Sequence, residues 1–432
     1  MSRIDELTNE ARADQACLKS AEQGGSGSIE QLIEQYCPEG VEYVKLGEVC
    51  EFRSGWGFPE VEQGLTEGKY PFYKVGDMNN SEMFMDRANN YISEETSKKL
   101  KCKPAPKGTI IFPKIGATMN TNKKRILTKE SCYDNNVMGM IAKSVNERFL
   151  YYFFSQYRLI DFAKGTGAVP SLDTNRLKNL EIPLPPLPVQ EEIVRILDTF
   201  TELQAELQAE LQARQLQYQY YRDQLFAFDG RTDIKRKKLG EVGTITRGNG
   251  LQKKDFIESG VGCIHYGQIY TKYGAYTDKT LTYVDEALAS KLLQVEKGNL
   301  VIACTSENVE DICKCVAWLG DNNICTGGHA CVLRHNQNPK YVAYFFQTEQ
   351  FFKQKKKYVY GTKVMDIKPD NIAKIEIPIP SLDEQNRIVS ILDKLYILTT
   401  DLSQGLPAEI EARKQQYEYY RDKLLTFKRK EA

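Results

Sequence analysis

Two stretches of the chain repeat apolar residues three and four positions apart, which is the spacing of one face of an α-helix. The first stretch covers about residues 189–228 and the second about residues 384–427, with an interruption at Gly405-Leu406-Pro407 where we expect a kink. At 1.5 Å per residue the first helix would be about 60 Å long. Neither apolar face can remain in water, so we predict that the two helices pack against each other as an antiparallel pair.

Short apolar runs that are bounded by glycine lie ahead of each predicted helix. Residues 109–112 and 300–303 are typical of buried strands. Proline-rich segments follow, at residues 183–188 and 378–380, and proline at these positions marks the entry to a helix. The pattern predicts a strand-rich globular part, then a long helix, twice in succession.

The chain repeats itself in order. KLGEV at residue 45 returns at residue 238, LEIPLP at residue 180 is matched by IEIPIP at residue 375, and QYQYYRDQLFAF at residue 217 is matched by QYEYYRDKLLTF at residue 416. An arginine follows each KLGEV, at Arg53 and Arg247. The segments 52–170 and 246–365 share only scattered landmarks. We interpret the chain as two copies of one scaffold that carry different surfaces.

These observations predict an α+β protein with two α/β domains joined by two long antiparallel helices in a pseudo-twofold tandem arrangement. The expected boundaries are 29–187 for the first domain, 188–228 for the first spacer helix, 229–382 for the second domain and 383–432 for the second helix. Residues 1–28 are polar and end in Gly24-Gly25-Ser26-Gly27-Ser28, which is typical of a tag, a linker or a fused extension.

Three related units, LQAE, LQAE and LQAR, fill residues 203–214 of the first predicted helix. Each unit adds about 6 Å of helix and about 40° of rotation. The repeat is either a simple amphipathic spacer made of good helix formers or a ruler that fixes the separation of the two domains.

Composition limits the choice of partners. The chain has 58 basic and 58 acidic residues, so its net charge is zero and any DNA contact must come from local patches or be shared with a basic partner. No run of eighteen apolar residues is present, and we expect a cytoplasmic protein. The eleven cysteines lack a regular metal-ligand spacing. Reduced, buried cysteines are the favoured interpretation, although a metal site near Cys304, Cys313, Cys315, Cys325 and Cys331 stays open.

Catalytic motifs are missing from the sequence. Pro185-Pro186 lacks the preceding Asn or Asp of an adenine methyltransferase motif, and Gly361-Thr362-Lys363 has the wrong order for a phosphate-binding loop. Glu191 and Glu192 are adjacent, so a helix would point them in different directions. We therefore expect a non-catalytic protein with no catalytic residues and no bound metal.

Basic residues mixed with amides, hydroxyls and glycines recur in both halves, a composition that suits phosphate and base-edge contacts. The alternative for any single cluster is an ordinary solvated face. Runs of this kind also occur at residues 235–238 and 353–357. The candidate DNA-binding residues are Arg53, Trp56, Lys74, Lys114, Thr118, Asn120, Lys123, Lys124, Arg125, Thr166, Arg247, Asn249, Lys253, Lys254, His265, Gln268, Thr305, Ser306, His329 and Lys363.

Clustered tyrosine and arginine near the end of each predicted helix are typical of interface anchors, and they are equally compatible with helix capping and rod packing. The candidate partner-binding residues are Tyr220, Tyr221, Arg222, Tyr419, Tyr420 and Arg421.

Together, KLGEV, LEIPLPPLPVQEEIVRILD with IEIPIPSLDEQNRIVSILD, and QYQYYRDQL with QYEYYRDKL resemble the specificity subunit of type I restriction-modification systems over about residues 29–428. The LQAE units resemble the type IC branch. The resemblance implies two target-recognition domains that each read half of a split double-stranded DNA site. It also implies two modification subunits that use S-adenosylmethionine to methylate adenine, and restriction subunits that use ATP and Mg²⁺. The chain itself would bind no cofactor.

Other functions stay open on the sequence alone. A two-headed structural adaptor that binds protein partners is the main alternative, followed by an independent DNA-binding regulator and an enzyme with an unrecognised site. Steep salt dependence of DNA binding by the assembled complex would separate the specificity subunit from the adaptor, because phosphate contacts release counterions.

Overall fold

The computed structural model describes residues 29–164, 169–400 and 405–431. It divides into two compact units. Unit 1 contains the chain up to Ala205 together with the segment from Arg413 onward, and unit 2 contains Glu206–Ala412. Each unit therefore combines a globular part with pieces of both long helical stretches, so the compact units do not end where the strand-rich segments end.

Unit 1 has twelve described strands, β1 to β12. In chain order they are Tyr43–Lys45, Cys50–Ser54, Tyr70–Tyr73, Phe84–Met85, Tyr91–Ile92, Ile110–Pro113, Arg125–Leu127, Cys132–Tyr133, Val137–Ala142, Ala163–Lys164, Ser171–Leu172 and Glu181–Pro183. Its α-helices include Leu46–Val49, Glu94–Lys99, Glu147–Ser155 and Thr174–Lys178. Five strands form a sheet in the order β2-β9-β6-β7-β4, and β5-β3-β8 form a second sheet.

Unit 2 has thirteen described strands, β13 to β25. They are Lys235–Lys238, Gly243–Arg247, Val261–Ile264, Tyr276–Thr277, Thr282–Val284, Leu293–Val295, Leu300–Ala303, Thr305–Ser306, Cys315–Trp318, Ile324–Thr326, Ala330–His335, Met365–Asp366 and Glu376–Ile379. Its shorter helices are Leu239–Val242, Tyr266–Thr271, Glu286–Ala289, Pro339–Phe345, Glu349–Lys355 and Pro369–Ile372. Five strands form a sheet in the order β14-β23-β19-β21-β16, and β17-β15-β22-β18 form a second.

The two five-stranded sheets have the same connectivity. In unit 1 every neighbouring pair is antiparallel except the parallel pair β4 and β7, and in unit 2 the corresponding exception is β16 with β21. The two-stranded ladders β1·β12 and β13·β25 also correspond, and both are antiparallel. One topology is thus built twice, which confirms the duplication and the α+β class that the sequence predicts.

The first helical stretch forms a single helix, Leu187–Ala227, of 41 residues. In unit 1 its start is buried in the core through Ile193 and Leu197, and the Phe200 ring stacks on Tyr420 with 5.4 Å between centroids. In unit 2 its later part packs against helix Leu382–Thr400, with Tyr218 and Tyr396 rings 6.3 Å apart. The start of the first helix therefore pairs with the end of the second helical stretch, as expected of antiparallel helices.

The second helical stretch consists of helices Leu382–Thr400 and Gly405–Leu424. The predicted interruption falls at this position: Gly405 has φ +74° and begins the later helix, and residues 401–404 lie outside the described residues. Pro407 is accommodated in the first turn, where its missing N–H leaves no hydrogen bond unmade.

A repeated pair of contacts joins each globular part to its long helix. The Gln190 side chain is buried; its oxygen accepts from the Asn146 backbone N–H at 2.9 Å and its amide donates to Pro185 O at 2.7 Å. In unit 2, Gln385 likewise accepts from Asn338 N–H and donates to Pro380 O, both at 3.0 Å. Buried amides with fully paired atoms fix the position of a helix more strictly than apolar packing alone.

Unit 1 is closed by the segment after the last helix. Val41 N–H donates to Lys428 O at 2.9 Å, Lys430 N–H donates to Val41 O at 2.9 Å, and Tyr43 Oη donates to Phe427 O at 3.0 Å. An exposed ion pair joins Arg429 to Glu181 at 2.6 Å. The backbone of residues 428–430 thus joins the edge of the unit to which β1 belongs.

The ten cysteines in the described part of the chain are buried and unpaired. Among those residues, no group of three or more His, Cys, Asp or Glu is arranged to hold a metal ion. No helix within the same residues has the length and apolarity needed to cross a membrane.

Candidate nucleic-acid interface

The candidate DNA-binding residues of unit 2 converge at one end of the five-stranded sheet. Arg247 ends β14 and pairs in register with Cys331, while Ala303 at the end of β19 pairs with Ala330. Because these neighbours are antiparallel, the ends of β14 and β19 meet the loop that precedes β23. We call this region the loop-end face of unit 2; it contains Arg247, Asn249, Lys253, Lys254, His265, Gln268, Ser306, His329 and Lys363.

Arg247 is held by an ion pair. Its two terminal nitrogens donate to the Asp366 carboxylate at 2.9 and 2.5 Å, and its Nε donates to Gly328 O at 3.1 Å. The hydrogen bonds to Asp366 raise the pKa of the Arg247 guanidinium above its ordinary value. Burial alone would raise the pKa of Asp366, but the hydrogen bonds from Arg247 and Tyr360 outweigh it and lower that pKa. Arg247 thus positions the loop around it.

Asp366 and Tyr360 were not among the residues predicted from the sequence. The Tyr360 hydroxyl donates to Asp366 at 3.0 Å, and the two residues also exchange backbone hydrogen bonds. Between them lies a turn that contains Lys363 and the exposed Val364. A signal for this segment exists in the sequence, because the dipeptide Gly-Thr occurs at residues 165–166 and again at residues 361–362.

Aromatic rings form the middle of the same face. The Tyr266 ring lies 4.5 Å from His265 and 4.8 Å from His329, measured between centroids. His265 is buried, its Nδ1 accepts from Gly267 N–H at 3.2 Å, and burial lowers its pKa. Gln268 accepts from His265 N–H at 3.1 Å. The hydrogen bonds of His265 and Gln268 therefore stabilise the turn. The His329 side chain is exposed, so it can contact a ligand.

The exposed members of this face carry donors and positive charge. Asn249, Lys253, Lys254 and Lys363 are all exposed, and Ser306 is half-buried. Thr305 behaves differently from the expectation: it is buried, and its hydroxyl has no hydrogen-bond partner within the described residues. Thr305 is therefore less accessible than its neighbours on this face, and its contact with DNA stays a prediction.

Unit 1 has a loop-end face at the corresponding sheet end, where β2 ends, β6 ends and β9 begins. The Arg53 guanidinium is mostly buried and bonds to the Glu51 carboxylate at 2.9 and 2.7 Å. Lys114 Nζ hydrogen-bonds to Ser54 Oγ, and Lys74 Nζ donates to Gln63 at 3.0 Å. Burial lowers the pKa of Lys114, and the nearby Asp134 carboxylate opposes that shift.

Trp56 lies beside this group, with its ring 5.8 Å from Tyr133 and its backbone bridged to Asp134. Burial raises the pKa of Asp134, and hydrogen bonds from Asn136 limit the rise. The arginine of unit 1 is thus neutralised locally, as Arg247 is in unit 2, but the partner is a residue of the same strand.

The turn after β6 contains the remaining candidates of unit 1. Thr118 donates to Ile115 O at 2.7 Å, Asn120 is exposed, and Lys123 Nζ hydrogen-bonds to Asn79 Oδ1. Thr166 lies outside the described residues. Asn120 and Lys123 are therefore the better-placed members of this turn for contact with a ligand.

Lys124 and Arg125, two basic residues of unit 1, form hydrogen bonds with other parts of the protein. Lys124 is buried and its Nζ donates to Asn122 Oδ1 at 2.9 Å and Tyr157 O at 2.7 Å. Burial, assisted by the positive charge of Arg421, lowers the pKa of Lys124 to about 7. Arg125 donates to three backbone oxygens, of Ser81, Lys124 and Met78, at 2.8 to 3.1 Å. These hydrogen bonds give both side chains a structural role, and contact of Lys124 or Arg125 with phosphate stays a prediction.

The tyrosine–arginine clusters are also divided between surface and interior. Tyr220, Tyr221 and Tyr419 are exposed by 61%, 44% and 63%, whereas Tyr420 stacks on Phe200. Arg222 is buried and its guanidinium lies over the Tyr218 ring, so contact of Arg222 with a partner stays a prediction. Arg421 bonds to Asp422 at 2.9 and 2.7 Å and its side chain is 17% exposed. The exposed tyrosines remain as candidate anchors.

The family model for the type I restriction modification DNA specificity domain (Methylase_S) matches twice, over residues 38–214 and 232–412. The chain belongs to this specificity family. Each match includes the loop-end face of one unit and part of the helical stretch that follows it, Leu187–Ala227 in the first match and Leu382–Thr400 in the second. The family therefore accounts for the duplicated topology and for the repeated helix entries that follow each domain.

Relatives of the specificity family support this assignment. The EcoR124I/EcoR124II specificity subunit of Escherichia coli is 32% identical over 311 residues, 70% of this chain and 74% of that protein. The EcoprrI specificity subunit of Escherichia coli is 29% identical over 242 residues, 50% of this chain and 58% of that protein. A solved chain from a type I restriction-modification system has a TM-score of 0.60 at 15% identity, covering 89% of this chain and 97% of that one. It agrees in fold.

Proposed function

We propose that this specificity subunit reads a split site in double-stranded DNA, with one half-site recognised by the loop-end face of each unit. The observation that carries the proposal is that two sheets of identical strand order belong to segments, 52–170 and 246–365, that share only scattered residues. A shared scaffold with different surfaces is what recognition of two unrelated half-sites requires, because sequence is read by individual side chains at base edges.

The accessible side chains suit that task. Asn249 can bond to adenine, the lysines at 253, 254 and 363 can pair with phosphate or guanine, and His329 presents a ring beside Tyr266. In unit 1, Asn120 and Lys123 offer the corresponding amide and ammonium groups. Arg247 and Arg53 are held by carboxylates, and they support these loops.

The proposal assigns catalysis to other chains. Two modification subunits would bind S-adenosylmethionine and methylate adenine, and restriction subunits would bring ATP, Mg²⁺ and cleavage. Those subunits would dock on the helices, with exposed Tyr220, Tyr221 and Tyr419 as contact points. The long helix Leu187–Ala227 would set the spacer between the half-sites.

Methylome sequencing of cells that express this chain with its cognate modification subunits tests the proposal. The expected result is one split motif, methylated on both strands and absent when this chain is omitted. If a complex that assembles and binds S-adenosylmethionine adds no methylation, the chain has another function.

A further inference from the structure

Four consecutive basic residues form a complete strand of unit 2. Lys235, Arg236, Lys237 and Lys238 make up β13, and all four are exposed. The corresponding strand of unit 1, β1, is Tyr43-Val44-Lys45, with a single exposed basic residue. The charge is therefore a property of unit 2 and does not belong to the shared scaffold.

The fold adds further charge to this strand from a distant part of the sequence. Helix Glu349–Lys355 lies along β25, the partner of β13. Gln354 exchanges two hydrogen bonds of 2.9 Å with the backbone of Glu376, and Arg236 donates to Gln350 at 2.9 Å. Lys356 and Lys357 follow that helix and are exposed. We call Lys235–Lys238 with Lys356 and Lys357 the basic strand surface.

Little negative charge offsets this surface. Glu376 is opposite Lys238 in register, and Glu241 shares a cleft of about 420 Å³ with Lys237. Between residues that the structure describes, no ion pair involves any of the four side chains of β13, and Arg236 bonds instead to Gln350 and Ala227 O. Two further carboxylates nearby in sequence, Asp233 and Glu349, are already paired with Arg231 and Lys353, so the six exposed cations make a local positive patch in a chain with zero net charge.

The basic strand surface lies apart from the loop-end face. Lys237 lines its cleft together with His335, and His335 pairs with Gly243 at the start of β14. Arg247, in the loop-end face, is at the other end of β14, about 13 Å away at 3.3 Å per residue. The two surfaces are therefore at opposite ends of the same strand.

We propose that the basic strand surface binds the sugar–phosphate backbone of duplex DNA without reading its bases. The proposal rests on the DNA-reading function above and extends it to a second contact. Successive side chains of an extended strand point to opposite faces, so basic residues that share a face of β13 are about 6.6 Å apart, close to two phosphate repeats of about 3.4 Å along a DNA strand. Lysine is depleted in protein–protein interfaces, and β13 exposes no aromatic side chain, so the surface fits a polyanion better than a protein partner.

Salt-dependent binding of a random-sequence duplex tests the proposal in the full chain assembled with its modification subunits. The test variant is Lys235→Gln/Lys237→Gln/Lys238→Gln, which keeps Arg236 and its hydrogen bonds. The control is Lys272→Gln/Lys279→Gln/Lys291→Gln, which removes the same charge from exposed positions elsewhere in unit 2. Each lysine that no longer neutralises a phosphate lowers the slope of log K against log salt by about 0.9.

The expected result is a slope reduced by about two to three in the test variant, an unchanged slope in the control, and equal weakening on target and random duplexes. An unchanged slope in the test variant overturns the proposal. Loss of assembly with the modification subunits also overturns it and would identify an acidic protein surface as the partner. The proposed function is judged separately, by whether the wild-type complex prefers its methylated motif over random DNA.

Discussion

The Tyr344 hydroxyl donates a 2.6 Å hydrogen bond to the Asp393 carboxylate, which joins the globular part of unit 2 to helix Leu382–Thr400. Burial, reinforced by this carboxylate, raises the pKa of Tyr344, so the phenol stays protonated and remains a donor. Lys340 completes the group with a 2.7 Å ion pair to Asp393. Unit 1 has the same arrangement, with Tyr152 bonded to Asp198 at 2.6 Å and Arg148 paired to that carboxylate.

Replacing Tyr344 with phenylalanine should lower the stability of unit 2 and leave that of unit 1 unchanged. A hydrogen bond to a charged group contributes about 1.5–3 kcal/mol, so Tyr344→Phe should lower the free energy of unfolding of unit 2 by that amount. The chain has two tryptophans, Trp56 in unit 1 and Trp318 in unit 2, so urea unfolding followed by Trp318 fluorescence in a Trp56→Phe background isolates unit 2. Tyr221→Phe, at an exposed tyrosine, is the control. Equal stability of both variants would show that the hydrogen bond contributes nothing.

Lys124 should make the stability of unit 1 depend on pH. Burial lowers its pKa to about 7, whereas the unfolded chain keeps this side chain protonated up to about pH 10.4. Between these values the unfolded state binds more protons, so the contribution of Lys124 to the free energy of unfolding rises with pH. Lys124→Met should remove roughly 2 kcal/mol of the increase between pH 7 and pH 9.

The measurement for Lys124 is a series of urea titrations followed by Trp56 fluorescence in a Trp318→Phe background. Lys123→Met, which removes the adjacent and less buried ammonium, is the matched control. Parallel pH profiles for Lys124→Met and its parent would mean that the buried lysine stays charged.

Much of the architecture could be predicted from the sequence. The apolar periodicity predicted a helix over about 189–228, and the structure has Leu187–Ala227. The run 300–303 is strand β19, and the sequence repeat correctly predicted one topology built twice. These features depend on local periodicity and on self-similarity, which are both present in the order of residues.

The state of individual side chains could not be predicted in the same way. Arg247 is paired with Asp366, 119 residues along the chain, and Lys124 bonds to Tyr157 O, 33 residues away. Such partners meet only after folding, so a basic residue in a promising sequence context can be neutralised or buried. The neighbours of Arg222 in sequence suggest a position at the helix surface. In the structure its guanidinium lies over the Tyr218 ring.

Deleting residues 207–210, one LQAE unit, should shorten the non-specific spacer of the DNA site. The helix loses about 6 Å, which corresponds to one or two base pairs of about 3.4 Å. Both half-sites should stay the same in the methylome, because their reading side chains lie in the globular parts. A variant that keeps the length but changes Leu207-Gln208-Ala209-Glu210 to four alanines should keep the spacer. An unchanged spacer after the deletion would show that the helix is not a ruler.

Exchanging residues 246–365 for those of another specificity subunit should change one half-site only. This segment contains Asn249, Lys253, Lys254, His329 and Lys363, while the anchors Gln385 and Asp393 stay in place. The methylome of the chimera should pair the original first half-site with a new second one. The reciprocal exchange of residues 52–170 is the matched control, and a change in both half-sites by either chimera would contradict modular reading.

Alanine at both Tyr220 and Tyr221 should weaken association with the modification subunits, since these exposed rings are candidate anchors. Size-exclusion chromatography of the co-expressed complex measures the effect. Tyr36→Ala, at another exposed tyrosine, controls for the smaller aromatic surface. Arg222 stays unchanged, because its removal would disturb the interior beneath Tyr218. A complex of normal size would place the interface elsewhere.

Unit 1 and unit 2 differ in the order in which their residues are synthesised. Unit 2 is one uninterrupted segment, residues 206–412, whereas unit 1 needs residues 413–431, whose backbone bonds to Val41. Domains usually fold in the order in which they emerge from the ribosome. Here the second domain can complete its core while the first still waits for its closing segment. While residues 206–412 are being made, the nascent chain therefore carries an N-terminal domain that still lacks its closing segment.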